Sequence, residues 1–171
     1  YWDYDTDGLT DLMVCNFLAF DEDYVSPDAP DMMPHPNEYA GQASMLYRQE
    51  DDGSFRDVTE EMGFYFPDSK CMGLTVYDYD NDGDLDLFQG NDHQINFLFR
   101  NDGSGVFTDI AASTGTDDPD GSARSVAWVD FDGDGRTDLF VGSRADDSSI
   151  WLARASGFVR LAGFRITGPV S

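Results

Sequence analysis

Positive charge is what this sequence has least of: 10 Lys and Arg stand against 34 Asp and Glu, for a formal net charge of −24. Nucleic acid and anionic membrane both require a positive face, so neither is expected as a partner. Long apolar runs are missing too; none approaches the ~20 residues of a membrane span, so direct membrane insertion is not expected. Only two histidines and two cysteines occur, and Cys15 and Cys71 fit no paired metal-ligand spacing. The cysteines form either one disulfide or two buried thiols, which leaves the redox compartment open. The chain opens at Tyr1 without an initiator methionine or a signal-peptide pattern, which says little about targeting. No nucleophile stands beside a base, and no carboxylate pair is free of another duty, so a catalytic role is not expected. What is present is apolar content of 40%, with 14% aromatic, enough for a sizeable core rather than a disordered acidic tail.

The acidic residues are organised. DYDTDGLTDL from Asp3, DYDNDGDLDL from Asp78 and DFDGDGRTDL from Asp130 share aspartate at loop positions 1, 3, 5 and 9, glycine at 6 and leucine at 10. The shared positions take 12 of the 29 aspartates, and three matches in one register are a repeat rather than a consequence of composition. Behind the loops, SMLYRQEDDGSFRDV (44–58), NFLFRNDGSGVFTDI (96–110) and, more loosely, SSIWLARASGFVRLA (148–162) read as β-hairpins. In the third of these, RASGF replaces the Asn-Asp-Gly turn.

The unit is therefore strand, acidic loop, strand, strand, turn, strand, over some fifty residues. That pattern predicts an all-β fold of β-propeller blades, each of four antiparallel strands. Units of about 1–65, 66–117 and 118–171 within one domain give a partial propeller, two full blades plus part of a third. The first unit lacks its opening strand, and AGFRITGPVS stands where another blade would begin. Strands are expected over 71–77, 85–90, 95–100 and 106–110, then over 123–129, 139–143, 148–154 and 157–161. Val76 and Leu87, like Val129 and Leu139, are expected between adjacent blades, and Trp128 and Trp151 in the core. A turn at 58–63 is the one helical signal.

Aspartates at alternating positions can aim several carboxylates into one concavity if the backbone curls, and glycine at position 6 permits that curl. An oxygen-only, multiply anionic cage suits Ca²⁺, which takes 6–8 oxygens, better than magnesium or zinc. Three calcium sites are expected: Asp3, Asp5, Asp7 and Asp11 with the Leu9 carbonyl; Asp78, Asp80, Asp82 and Asp86 with the Asp84 carbonyl; Asp130, Asp132, Asp134 and Asp138 with the Arg136 carbonyl. The Asp84 side chain is expected in solvent. An EF-hand is not expected, because position 12 holds Val14, Gln89 and Val141 instead of glutamate and the flanks read as strands.

With these residues quoted, the chain resembles the FG-GAP/VCBS repeats of calcium-binding β-propellers, and most closely the ASPIC/UnbV (cartilage acidic protein-like) group. The likeness rests on GLTVYDYDNDGDLDLFQGN, on NFLFRNDGSGVFTDIAASTG, and on the proline-rich insertion ending in YAGQ before the first hairpin. It implies a secreted, periplasmic or cell-surface module, calcium-stabilised and non-catalytic. It also implies partners that are proteins or glycans.

Two other roles stay open. The chain could be a subunit docked into a larger surface assembly, or the scaffold of a polysaccharide-active enzyme whose site lies elsewhere. Residues 17–43 hold four of the seven prolines together with Phe17, Phe20, Tyr24, Tyr39 and His35. They are expected either to cover the blade edge or to contact a partner. Met32 and Met33 are expected to pack inward, and His93 to lie on the surface.

Overall fold

The structure, a computed structural model, describes residues 1–143, 148–155 and 157–161. Eleven strands form three antiparallel sheets in chain order. The first sheet comprises β1 (Leu12–Val14), β2 (Met45–Gln49) and β3 (Phe55–Asp57). The second comprises β4 (Cys71–Tyr77), β5 (Asp86–Asn91), β6 (Phe97–Asn101) and β7 (Phe107–Asp109). The third comprises β8 (Ala123–Val129), β9 (Asp138–Ser143), β10 (Ser149–Arg154) and β11 (Gly157–Arg160). Each sheet is a meander, and the sheets pack face to face as consecutive blades of a partial β-propeller. One short helix, α1 (Ala111–Thr114), follows β7; its single turn has too little apolar periodicity to be read from sequence. The expected turn at 58–63 is present, with the Met62 N–H donating to the Val58 carbonyl at 2.9 Å. The further strand expected after residue 161 lies outside the described residues.

Period-two alternation decides which blade each residue meets. Leu87 pairs with Phe99, and both face the first sheet beside Phe97, Phe64, Leu46 and Val58. Phe88 pairs with Leu98, and both face the third sheet beside Leu139, Val141 and Trp151. All six β5 residues are therefore buried. Phe64 sits 4.6 Å from Phe99 and 4.5 Å from Phe107, ring centre to ring centre, within the range for favourable tilted contacts. The blades approach so closely that a Cβ on Gly90 would lie 2.8 Å from both the Ala123 Cβ and the Val126 Cγ1. Trp151 is buried as expected, with its indole N–H on the Gly115 carbonyl, and Trp128 is half-buried against the same cluster.

Several expectations need correction. Val129 is 45% exposed, because Leu139 pairs with Trp128 and not with Val129, so Val129 points to the opposite face of the blade. Val76 does pair with Leu87 but is 37% exposed. It lies on the edge strand β4, and among the described residues the first sheet places no strand beside it. Met32 and Met33 are exposed rather than packed. The Asp84 side chain is half-buried against Gly103 in the β6–β7 turn, not free in solvent. The third hairpin forms without the Asn-Asp-Gly turn, pairing Trp151 with Arg160 and Arg154 with Gly157.

Cys15 and Cys71 are joined as a disulfide across a sequence separation of 56, which ties the exit of β1 to the start of β4. The Cys71 N–H donates to the Asn16 carbonyl at the same junction. The insertion begins and ends there. Leu18 bridges Gly41, and Gly41 lies so close to Asp68 that any Cβ would strike that residue's carbonyl. Tyr39 is buried with Phe20 and Tyr24 in tilted ring contact with it, and the Lys70 ammonium donates to the Pro36 carbonyl. Phe20, Val25, Met32 and Met33 nevertheless remain exposed.

Candidate metal centre

The second and third acidic loops join the first and second strands of their sheets, and the first loop leads into β1, with Trp2 bridging Asp11 across it. A common set of hydrogen bonds repeats in all three. In every loop the position-1 carboxylate accepts the position-5 amide on one oxygen and the position-6 amide on the other. These are Asp7 and Gly8 on Asp3, Asp82 and Gly83 on Asp78, and Asp134 and Gly135 on Asp130, all at 2.9–3.1 Å. Asp130 also accepts the Gly133 amide at 2.8 Å. The backbone curls through two left-handed residues. Gly8, Gly83 and Gly135 at position 6 have φ of 88°, 102° and 87°, and Thr6, Asn81 and Gly133 at position 4 have 57°, 61° and 75°. Space around the position-6 glycines is open, so conformation alone selects glycine there.

The position-9 carboxylate does a different job. Asp11, Asp86 and Asp138 are fully buried. One oxygen of each accepts the amide of position 2 (Tyr4, Tyr79 or Phe131) at 2.8–3.1 Å. The other accepts an amide from the third strand of the unit (Gln49, Asn101 or Ala153) at 2.7–2.9 Å. Each therefore staples its loop to a strand far along the chain. Burial is the main cause that pushes Asp86 up to about 7 and also raises Asp11, against the lowering effect of those amides. Asp80 is raised as well, by burial first and the Asp82 charge second. Tyr4 and Tyr79 are pushed up to about 12 by burial, with the loop carboxylates adding to it.

The loops bring together three carboxylates each: Asp3, Asp5 and Asp11; Asp78, Asp80 and Asp86; Asp130, Asp132 and Asp138. Within a set, one oxygen of each residue lies within 4.8 Å of the others. Two oxygens bound to one calcium at 2.3–2.6 Å can be no more than about 5 Å apart, so these spacings fit that ion. The donor set is all oxygen, as calcium requires. The position-5 carboxylates stand outside these sets. Asp7, Asp82 and Asp134 each accept the amide of position 7 (Leu9, Asp84 or Arg136) at 2.8–3.0 Å. That amide is the main cause that holds the Asp7 and Asp134 carboxyls below the usual carboxylate range.

Sequence reading missed the cations. Arg48, on β2, places Nε 2.9 Å from Asp5 and Nη2 2.9 Å from Asp7. Arg154, on β10, places Nη2 2.8 Å from Asp132 and Nη1 3.3 Å from Asp134. The equivalent of Arg48 in the second unit, Arg100, makes no such pair among the described residues and acts on Asp80 and Tyr79 only as a through-space charge. Part of the signal was available, since Arg48 and Arg100 both stand one residue before the amide that meets the position-9 aspartate; Arg154 stands one residue after it, so no shared spacing marks it.

The sequence model of the FG-GAP-like repeat matches residues 3–89 and again 78–141, together spanning most of the chain. The chain belongs to the FG-GAP-like repeat family. The two overlapping matches start at the first and second acidic loops, so this repeat and its loops coincide. The repeats are similar to cartilage acidic protein 1 of Mus musculus, 39% identical over 111 residues, which is 63% of this chain and 17% of that protein. Cartilage acidic protein 1 of Homo sapiens is 40% identical over 93 residues, 53% of this chain and 14% of that protein. The Xenopus tropicalis protein of the same name is 44% identical over 71 residues, 42% of this chain and 11% of that protein. The matched segment thus spans less than a fifth of these relatives. No described helix is long and apolar enough to cross a membrane.

Proposed function

We propose that this FG-GAP-repeat chain is a calcium-stabilised, non-catalytic binding or structural module that works outside the cytoplasm. The observation that carries the reading is the threefold recurrence of one hydrogen-bonded loop, each bringing three carboxylate oxygens within a calcium-sized spacing. Three ions are held, one per loop, by positions 1, 3 and 9. The position-5 carboxylate and the position-7 carbonyl of Leu9, Asp84 or Arg136 complete each shell. A divalent cation here offsets the like charges that the loop concentrates, while the position-1 and position-9 aspartates hold the backbone in its curled form. The units of about 1–65, 66–117 and 118–171 act as blades of one propeller domain.

Sites of this class bind at about 10⁻⁴–10⁻³ M, which suits calcium-rich surroundings outside the cytoplasm. The Cys15–Cys71 disulfide supports the same placement, since such bonds persist in oxidising compartments. The partner is a protein or glycan that tolerates or prefers an anionic surface, since three divalent ions offset only six of 24 negative charges. A second reading, docking into a larger assembly, is favoured by the exposed Phe20, Val25, Met32 and Met33 on the insertion.

Thermal unfolding tests the calcium reading. At about 10 mM calcium each site should add roughly 1.5–2.5 kcal/mol by mass action, raising the melting temperature by several degrees. A melting temperature identical in calcium and in EGTA would refute it.

A further inference from the structure

We infer that Arg48 and Arg154 are resident counter-ions of the first and third loops, holding calcium affinity there below that of the second loop. This inference rests on the calcium reading above. Arg48, one residue before the end of β2, and Arg154, at the end of β10, reach the position-3 and position-5 carboxylates of their own loops from different strand positions. They claim the oxygens that an incoming cation would need. In the first loop, Asp7 gives one oxygen to the Leu9 amide and the other to Arg48. In the third, Asp134 gives one oxygen to the Arg136 amide and the other to both Arg154 and the Arg136 side chain. In the second, Asp82 accepts the Asp84 amide, and Arg100 makes no ion pair with the loop among the described residues.

These pairs are about one-third exposed or less on the side that matters. Arg48 is 33% exposed against 17% for Asp5 and 25% for Asp7, and Arg154 is 31% exposed. Screening by water is therefore partial. Arg48 donates a directed hydrogen bond from Nη2 to Asp7, whereas its buried Nε, 2.9 Å from Asp5, is not aligned on an acceptor and meets that carboxylate as a charge. A guanidinium bound to the same carboxylate oxygens competes with an incoming ion for them. Two such pairs should weaken a site on the order of three- to tenfold. The expected order of affinity is second loop, then first, then third, where Arg136 adds a further cation.

The glycine amides at position 6 allow each loop to be followed separately, since Gly8, Gly83 and Gly135 each donate to the position-1 carboxylate of their own loop. The experiment is a calcium chloride titration of ¹⁵N-labelled protein read at those three amides. In the parent, Gly83 should reach its midpoint at the lowest calcium. Arg48→Gln should move the Gly8 midpoint alone to roughly three- to tenfold lower calcium, while Arg48→Lys, which keeps the charge, should stay near the parent. Unchanged Gly83 and Gly135 signals would show that the variant is folded; should it not be, Arg154→Gln read at Gly135 serves in its place. Coincident midpoints in the parent would overturn the inference, as would an unchanged or higher Gly8 midpoint in Arg48→Gln. No response at any glycine up to about 10 mM calcium would instead refute the calcium reading on which it rests.

Discussion

Within each loop the aspartates divide the work, and the division predicts unequal consequences for their loss. Asp86 is fully buried and accepts the Tyr79 and Asn101 amides, so Asp86→Ala leaves two amides without partners. That should cost about 2–3 kcal/mol in urea unfolding even in EGTA. Asp82 is exposed and its carboxylate accepts the Asp84 amide, so Asp82→Ala should cost less than about 1 kcal/mol in EGTA. In calcium, Asp82→Ala should abolish the Gly83 response while Gly8 and Gly135 still titrate, because each cage is local to its blade. Equal losses for the two variants in EGTA would contradict the division. The sequence showed that position 9 was special only through its recurrence. Its staple role depends on Gln49, Asn101 and Ala153, which lie 38, 15 and 15 residues away and carry no common side chain.

At the scale of strands and sheets, alternation in short apolar runs was enough to place all four strands of the second blade within two residues of where they lie. Which face each residue takes was less legible, because it depends on register with a partner strand. Val129 and Leu139 look equivalent as neighbours of one loop, yet Leu139 pairs with Trp128, and that single step sends Val129 to the other side. The arginine counter-ions were hidden for the same reason, since Arg48 meets Asp5 only after β1 and β2 have paired. Close approach between blades gives a further test. Gly90→Ala would force a Cβ against Ala123 and Val126 on the third blade, and should destabilise by about 1–3 kcal/mol in denaturant unfolding. A variant as stable as the parent would mean that the second and third sheets are not packed this tightly.

At the scale of the whole molecule, the Cys15–Cys71 bond fastens the first sheet to the second, and the calcium proposed above would fasten each blade internally. Closing a loop with a sequence separation of 56 should contribute about 4 kcal/mol, so the double variant Cys15→Ser/Cys71→Ser should unfold at lower denaturant by that amount. Its calcium titration should be unchanged, because no loop aspartate touches the disulfide. The insertion is anchored at its base by Gly41 and Tyr39 but exposes Phe20, Val25, Met32 and Met33. Deleting residues 21–38 should therefore leave calcium-dependent stability intact; unfolding on deletion would make the segment part of the blade instead of a contact surface. The central claim is met most directly by counting ions. Equilibrium dialysis against about 5 mM calcium, well above the expected dissociation constants, should find close to three bound calcium ions per chain, falling to two in Asp78→Ala. Fewer than one bound ion per chain would contradict the account.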